Sequence, residues 1–227
     1  MSRACYGNGQ IFTVADETTF ASAMVVADGR VTWTGQTAAL GEAYVDLRGS
    51  TVLPGFIDAH IHPSYVARVQ SQVACLPPRV NSIEDMIVAL KAALDQRDPQ
   101  AWVCGWGFDE SKLAERRTPT REDLDRVSSS HPVEVTRSDF HSRVVNSRAL
   151  ALAGITRETP EVAHGVIGRS AGGEPNGYIG EAAVGLIDRV KPPVTREQAV
   201  QSLCALSRRW ARLGLTGAAE IAAKCSG

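Results

Sequence analysis

Over the first fifty residues apolar and polar positions alternate in short runs broken by turn residues, a pattern of strands and not of helices. Ala23-Met24-Val25-Val26-Ala27 runs into Asp28-Gly29 and out through Arg30-Val31-Thr32-Trp33-Thr34-Gly35. An Asp-Gly pair between two such runs predicts a tight hairpin, because both central residues take positive φ there. Gln10-Ile11-Phe12-Thr13-Val14 and Ala43-Tyr44-Val45-Asp46-Leu47 flank the hairpin, and together they predict a small antiparallel sheet that reads as scaffold.

Beyond Pro54 the period lengthens. Ser82-Ile83-Glu84-Asp85 opens like a capping box with Asp in place of Glu, and Ile83, Met86, Ile87, Leu90 and Leu94 recur at helical spacing until Pro99. One face of that helix is expected to be buried. The apolar run from Ala101 to Trp106 and the alternating run from Pro132 to Thr136 predict strands. Pro119-Thr120-Arg121-Glu122-Asp123-Leu124 starts a short capped helix, and Asn146 to Gly154 is a second, with Asn at the N-cap and Gly just past the end. The stretch from Gly165 to Gly180 is hairpin-like, with Gly172-Gly173 and Asn176-Gly177 as turn pairs, and it lacks the strand, loop and helix that a phosphate-binding loop requires. Thr195-Arg196-Glu197-Gln198 is a full capping box. Behind it Ala199, Val200, Leu203, Leu206, Trp210 and Leu213 trace an apolar stripe, and Gly214 ends the helix before a strand from Leu215 to Ile221.

Composition narrows the function classes. With 44% hydrophobic and 22% charged residues the chain has the usage of a soluble globular protein, which excludes a disordered, collagenous or coiled-coil chain. Lys+Arg 24 against Asp+Glu 25 gives a formal charge of −1, so no net positive field attracts nucleic acid or an anionic membrane. The five cysteines are widely spaced and include no C-x-x-C pair, which argues against a disulfide framework or zinc knuckle and for a reducing compartment. Neither a signal-peptide core nor a run of about 18 apolar residues is present, and the expected location is the cytoplasm. Cys104 reads as core and not as a nucleophile, since no base stands beside it in sequence, and His131 and His164 read as loop histidines.

One stretch carries chemistry. In Gly55-Phe56-Ile57-Asp58-Ala59-His60-Ile61-His62-Pro63, read as a strand, Ile57, Ala59 and Ile61 share one face while Asp58, His60 and His62 share the other. Pro63 cannot donate to a ladder and ends the strand, leaving His62 at its C-terminal rim and His60 one pleat below. Two such imidazoles lie about 6 to 7 Å apart along the backbone and can converge on one metal ion. A bare His-x-His is equally the polar face of an edge strand or a pair of satisfied core histidines, so the flanking residues have to decide.

Those flanks, Val52-Leu53-Pro54-Gly55-Phe56-Ile57-Asp58-Ala59-His60-Ile61-His62-Pro63, resemble the signature of the amidohydrolase superfamily, in which this segment is the first barrel strand and its His-x-His binds catalytic metal. The preceding sheet, with its Asp28-Gly29-Arg30 hairpin, is similar to the small β-sandwich that members carry. Gly105-Trp106-Gly107-Phe108-Asp109-Glu110-Ser111, Pro119 to Asp125, His141 with Val145 to Leu150, and Gly173 to Gly177 with Glu181 resemble amidohydrolase family 3, the branch of N-substituted formamide deformylase-like proteins.

The resemblance implies an α/β chain with a partial TIM-barrel-type metal-dependent hydrolase fold. Residues 1–53 would form the N-terminal β-sandwich portion, and residues 54–227 the first strands of the barrel with an α/β insertion at about 75–190. It implies a metal-dependent amidohydrolase that hydrolyses a non-peptide C–N bond, of amide or formamide type, with metal-activated water and a divalent metal, zinc, held by His60 and His62. Trp106, Asp109, His141 and Glu181 fall in the insertion and are candidate substrate-binding residues. Each has a plainer alternative: Trp106 as packing, Asp109 and Glu181 as helix-end or solvated carboxylates, and His141 as a loop anchor.

A closed barrel needs about 250 residues. Here the first fifty form another sheet and the insertion takes many of the rest, so the sequence is expected to run out near the second barrel strand. Glu220 ends that strand where the branch often has Asp. The 227-residue chain alone is therefore expected to be inactive. The alternative is a catalytically inactive truncated remnant, or an assembly partner of a second chain that carries the rest of the barrel. Homo-oligomerisation and a small-molecule amide substrate complete the expected partners.

Overall fold

In the computed structural model residues 2–14, 20–94, 98 and 101–220 are described; Pro99, Ile221 and one of the five cysteines, Cys225, lie outside them. The chain divides into two units, residues 1–61 with 209–221, and residues 62–208 with 222–227.

The first unit begins with eight strands: β1 (Arg3–Gly7), β2 (Gln10–Phe12), β3 (Phe20–Ala21), β4 (Ala23–Ala27), β5 (Arg30–Gly35), β6 (Val45–Asp46), β7 (Thr51–Val52) and β8 (Phe56–Ile61). The first seven form a four-stranded sheet in the order β5-β4-β1-β6 and a three-stranded sheet in the order β3-β2-β7. Asp28 and Gly29 stand at φ 49° and 77°, as the hairpin between β4 and β5 requires. The expected small antiparallel sheet is instead two mixed sheets. β1 pairs antiparallel with β4 but parallel with β6, and β2 pairs antiparallel with β3 but parallel with β7. In the four-stranded sheet the cause is β1, which sequence reasoning passed over because Arg3-Ala4-Cys5-Tyr6-Gly7 has no long aliphatic run. It nevertheless alternates, burying Cys5 while Ala4 and Tyr6 stay half-buried.

The second unit holds α1 (Pro63–Val69), β9 (Val73–Ala74), α2 (Ile83–Ala92), β10 (Val103–Phe108), α3 (Arg121–Asp125), β11 (Val133–Arg137), β12 (Ser142–Val145), α4 (Ser147–Leu152), β13 (Gly165–Arg169), β14 (Pro175–Glu181) and α5 (Val184–Asp188). Its six-stranded sheet runs β13-β14-β12-β11-β10-β9. β9, β10 and β11 are parallel, whereas β11, β12, β14 and β13 are antiparallel. Ile83, Met86, Ile87 and Leu90 of α2 are buried against Val103, Val133 and Val135, as their spacing predicts. A second cluster gathers Leu150, Ile167, Ile179 and Ile187.

The caps are local and specific. Ser82 Oγ accepts from Asp85 N at 3.0 Å, but the Asp85 carboxylate reaches back to Asn81 N at 3.0 Å, one residue beyond the expected box partner. Asn146 is fully buried. Its Oδ1 accepts from Ala149 N and Val133 N, both at 3.0 Å, and its Nδ2 donates to Ser128 O at 2.8 Å and His131 O at 3.0 Å. The same side chain therefore starts α4 and ties it to β11.

Asn176-Gly177, expected as a turn, lies inside β14, and the hairpin turn falls at Gly172-Gly173. Gly177 does take a positive φ, 97°, but within a strand, where a Cβ would stand 2.5 Å from Val145 O. The pair signals a close backbone approach and not a reversal of the chain.

The long helix α6 (Arg196–Arg212) opens on the reciprocal box, with Thr195 N donating to Gln198 Oε1 at 3.0 Å and Gln198 N to Thr195 Oγ1 at 3.2 Å. Of its apolar stripe only Leu206 is buried. It leads through Gly214, at φ 83°, into β15 (Leu215–Glu220), which pairs parallel with β8. The described residues close no barrel, and none of their helices is long and apolar enough to cross a membrane.

Candidate functional site

The His-x-His passage begins in β8. Phe56 N donates to Gly214 O at 2.8 Å, and Phe56, Asp58 and Ile61 stand opposite Leu215, Ala218 and Glu220 of β15. The Asp58 carboxylate accepts from His60 N at 3.0 Å. His60 is exposed, near the end of the strand. His62 is half-buried and is the N-cap of α1, at φ −118° and ψ 75°, with Pro63 in the first helical position, where no amide hydrogen is needed. Its carbonyl accepts from Val66 N at 3.0 Å. Pro63 thus ends the strand, as expected, and also starts a helix the sequence reading did not foresee.

That helix sets up a row of rings. His62 and Tyr65 meet edge to face with centroids 6.0 Å apart, Tyr65 and Phe140 are 5.7 Å apart, and Phe140 stacks on Trp106 at 6.2 Å and 26°. Tyr65 and Phe140 were missed in the sequence. The available signals were Tyr65 three positions after His62, one helical turn on, and Phe140 immediately before His141.

Phe140 is held at φ 61° by a turn. Phe140 N donates to Arg137 O at 3.0 Å, and Asp139 Oδ1 accepts from His141 N at 2.9 Å and Ser142 N at 3.2 Å. Arg137 bonds Asp139 and also grips Glu110 at 2.7 and 2.8 Å. Burial raises the Asp139 carboxyl, but the Arg137 guanidinium and the turn amides bring it below its ordinary value; the hydrogen bond from Arg137 does the same for Glu110.

Sheet topology brings the substrate candidates to one rim. β10 and β11 end together, with Phe108 opposite Arg137, while Ser142 stands opposite Gly180 and Gly165 opposite Glu181. Asp109, His141 and Glu181 therefore project from the same edge of the sheet, with Trp106 two residues inside it. His141 Nδ1 and Glu181 Oε2 are 3.5 Å apart and both side chains are exposed. Asp109 caps a 3-10 turn, its Oδ1 accepting from Ser111 Oγ at 2.7 Å and Ser111 N at 3.0 Å, and the Ser111 hydroxyl bond leads in lowering its pKa.

Below this rim Glu134, 2% exposed, accepts from Arg143 Nη1 and Lys191 Nζ, each at 3.0 Å; Arg143, 8% exposed, also donates to Asp188 at 2.9 Å. Burial opposes the Arg143 charge, and the two carboxylates more than offset it, raising its pKa. Burial, with the nearby Glu134 charge, raises the Cys104 thiol, which agrees with the reading of Cys104 as no nucleophile. A cavity of about 30 Å³ adjoins the network, with Tyr65, Arg68, Gln72 and Phe140 among its other walls.

His60 and His62 are nitrogen donors of the kind a divalent metal takes. Among the described residues no three His, Cys, Asp or Glu side chains gather closely enough to hold an ion. A catalytic zinc keeps three protein ligands, so this pair fits part of a donor set and does not complete it.

The amidohydrolase family model matches residues 43–226, and the chain belongs to that family. It is 32% identical over 222 residues to YtcJ of Bacillus subtilis (strain 168), covering 95% of this chain and 42% of YtcJ. It is 33% identical over 223 residues to the N-substituted formamide deformylase of Arthrobacter pascens, covering 94% and 41%. Among solved structures it is similar to an uncharacterized metal-dependent hydrolase from Pyrococcus horikoshii OT3, with a TM-score of 0.66 and 25% identity over 96% of this chain and 42% of that one. A second, from Pyrococcus furiosus, shares the fold at a TM-score of 0.64 and 23% identity, over 96% and 44%. The chain spans about two-fifths of the length of these curated relatives.

Proposed function

We propose that this chain is the metal-gripping portion of an amidohydrolase that hydrolyses a non-peptide C–N bond of amide or formamide type in the cytoplasm, with His60 and His62 as two ligands of a divalent metal, zinc. The observation that carries the reading is the passage from β8 through His60 and His62 into α1. It lies at the C-terminal end of a strand in a parallel pair, where barrel enzymes keep their catalytic groups. Family membership supports the hydrolase class, and the likeness to a formamide deformylase supports the bond type.

A bound metal supplies Lewis acidity toward water and the substrate carbonyl. The chain's own residues hold and aim. His60 and His62 offer ring nitrogens to the ion, and Pro63 fixes the backbone on which His62 stands. The Tyr65 ring limits rotation of the His62 ring, and with Phe140 and Trp106 it forms an apolar wall that keeps water from one side of the substrate. His141 and Glu181 at the sheet rim offer polar contacts to the rest of the substrate.

Zinc titration against a chromogenic chelator tests the assignment. The wild-type chain should take up zinc, and a His60→Ala, His62→Ala double variant with an unchanged circular dichroism spectrum should bind it at least tenfold more weakly. Equal affinity would remove the pair from the site.

A further inference from the structure

We propose that the cavity between α1 and the six-stranded sheet recognises a carboxylate, with Arg68 as the residue that selects it. The floor follows from strand register. Thr136 stands opposite Trp106 of β10 and Arg143 of β12, and Glu134, two positions before Thr136, shares its face, while Val133 and Val135 enter the core on the other side. α1 supplies the opposite wall: Tyr65 and Arg68 lie three positions apart, neighbours on one helix face, and both border the void.

Charge makes the choice. Three charged side chains border the cavity: Glu134, Arg143 and Arg68. The first two pair at 3.0 Å, and their outer partners, Lys191 at 3.0 Å from Glu134 and Asp188 at 2.9 Å from Arg143, cancel one another as well. Arg68 is left over, exposed and, among the described residues, without a carboxylate partner. The group therefore carries one net positive charge, which a monoanion neutralises. A surface arginine ordinarily spends its charge on water. Arg68 differs in its setting, because it stands where a void meets solvent and the floor of that void bears the half-buried Thr136, whose hydroxyl also has no partner among the described residues.

Size and shape select among anions. A space of about 30 Å³ takes about two water-sized atoms, which suits the two oxygens of a carboxylate and not the four of a phosphate. A guanidinium meets a carboxylate through two parallel N–H donors in one plane. Tyr65 and Phe140, with ring centroids 5.7 Å apart, wall the same space with flat apolar surface.

The binding stands on these residues alone; its use rests on the hydrolase reading. Tyr65 borders the cavity and meets the His62 ring edge to face at 6.0 Å, so a carboxylate held by Arg68 is one ring removed from His62. The substrate class so defined is an amide that bears a carboxylate a short distance from the C–N bond to be cleaved.

Propionate, its isosteric amide propionamide, and inorganic phosphate, each titrated into the metal-free full chain at matched ionic strength, test this. The Trp106 indole N–H resonance reports on the cavity, since Trp106 stands opposite Thr136 and stacks on Phe140 at 6.2 Å. Propionate should shift it saturably, and propionamide and phosphate should bind at least tenfold more weakly. Arg68→Met should weaken propionate binding at least tenfold without altering the remaining spectrum. Equal binding of the acid and the amide, propionate binding indifferent to Arg68→Met, or phosphate binding as tightly as propionate would each overturn the proposal. Zinc uptake by the same chain keeps the two readings apart: zinc taken up with no response to propionate sinks the pocket alone, and propionate bound by a chain that takes up no zinc sinks only its link to hydrolysis.

Discussion

Asp123 receives Arg117 in a two-pronged grip at 2.6 and 2.9 Å and also accepts from Thr120 N at 2.8 Å. The Arg117 bonds lead in holding its carboxyl below the ordinary value. Because the folded group loses its proton more readily than the unfolded one, its stabilisation is complete above the unfolded value, about 3.9, and is lost as pH falls through the lower folded value. Asp123→Asn should therefore flatten the acid limb of a urea-stability profile below about pH 4 and leave its slope near neutrality unchanged. The sequence offered Asp123 as a first-turn carboxylate after Thr120, and the box between them is present. Arg117 was not foreseen, since it lies in irregular chain ahead of the Thr120 cap, where no helical or strand period applies. A similar limit hid Glu134 and Arg143, whose meeting depends on strand pairing and not on any local pattern.

Elements with a strong local period or a cap were legible: α2 from its apolar spacing, α4 from Asn146, α6 from Thr195 and Gln198, and the hairpin from Asp28-Gly29. Elements set by tertiary partners were not. β1 has no long aliphatic run, α1 is announced only by the proline that also ends β8, and Gly177 serves a strand where it resembled a turn. A methyl group at Gly177 would stand 2.5 Å from Val145 O and 2.8 Å from Arg121 N, at a φ that L side chains rarely adopt. Gly177→Ala should cost about 2 to 4 kcal/mol in urea denaturation, through clash and backbone strain together. A cost below about 0.5 kcal/mol would mean that β14 shifts freely against its neighbours.

At the scale of the molecule the parallel character of β8 and β15 was legible once the His-x-His segment had been read as a barrel strand, whereas the mixed six-stranded sheet was not, because parallel and antiparallel pairing leave the same alternation in sequence. Apolar side chains around β8 remain open: Ile57 is 74%, Leu213 70% and Phe56 55% exposed. Surface of this kind is unusual unless another polypeptide covers it. Light scattering at micromolar concentration should report a mass above that of a single chain, and Ile57→Asp with Leu213→Asp should bring it down; a monomer before and after would argue that the face tolerates water.

The reversal of direction within the second unit's sheet bears on how that unit assembles. β11 and β12 are joined by four residues and β13 and β14 by five, so these pairs can zip as soon as both strands exist. β9 and β10, though made earlier, must wait for a chain excursion through α2 before they lie side by side, and each added residue of such a loop lowers the chance of encounter. The half of the sheet synthesised first is thus expected to mature last, and in a crowded cell that interval is when Val103 and its neighbours on β10 are most open to wrong partners.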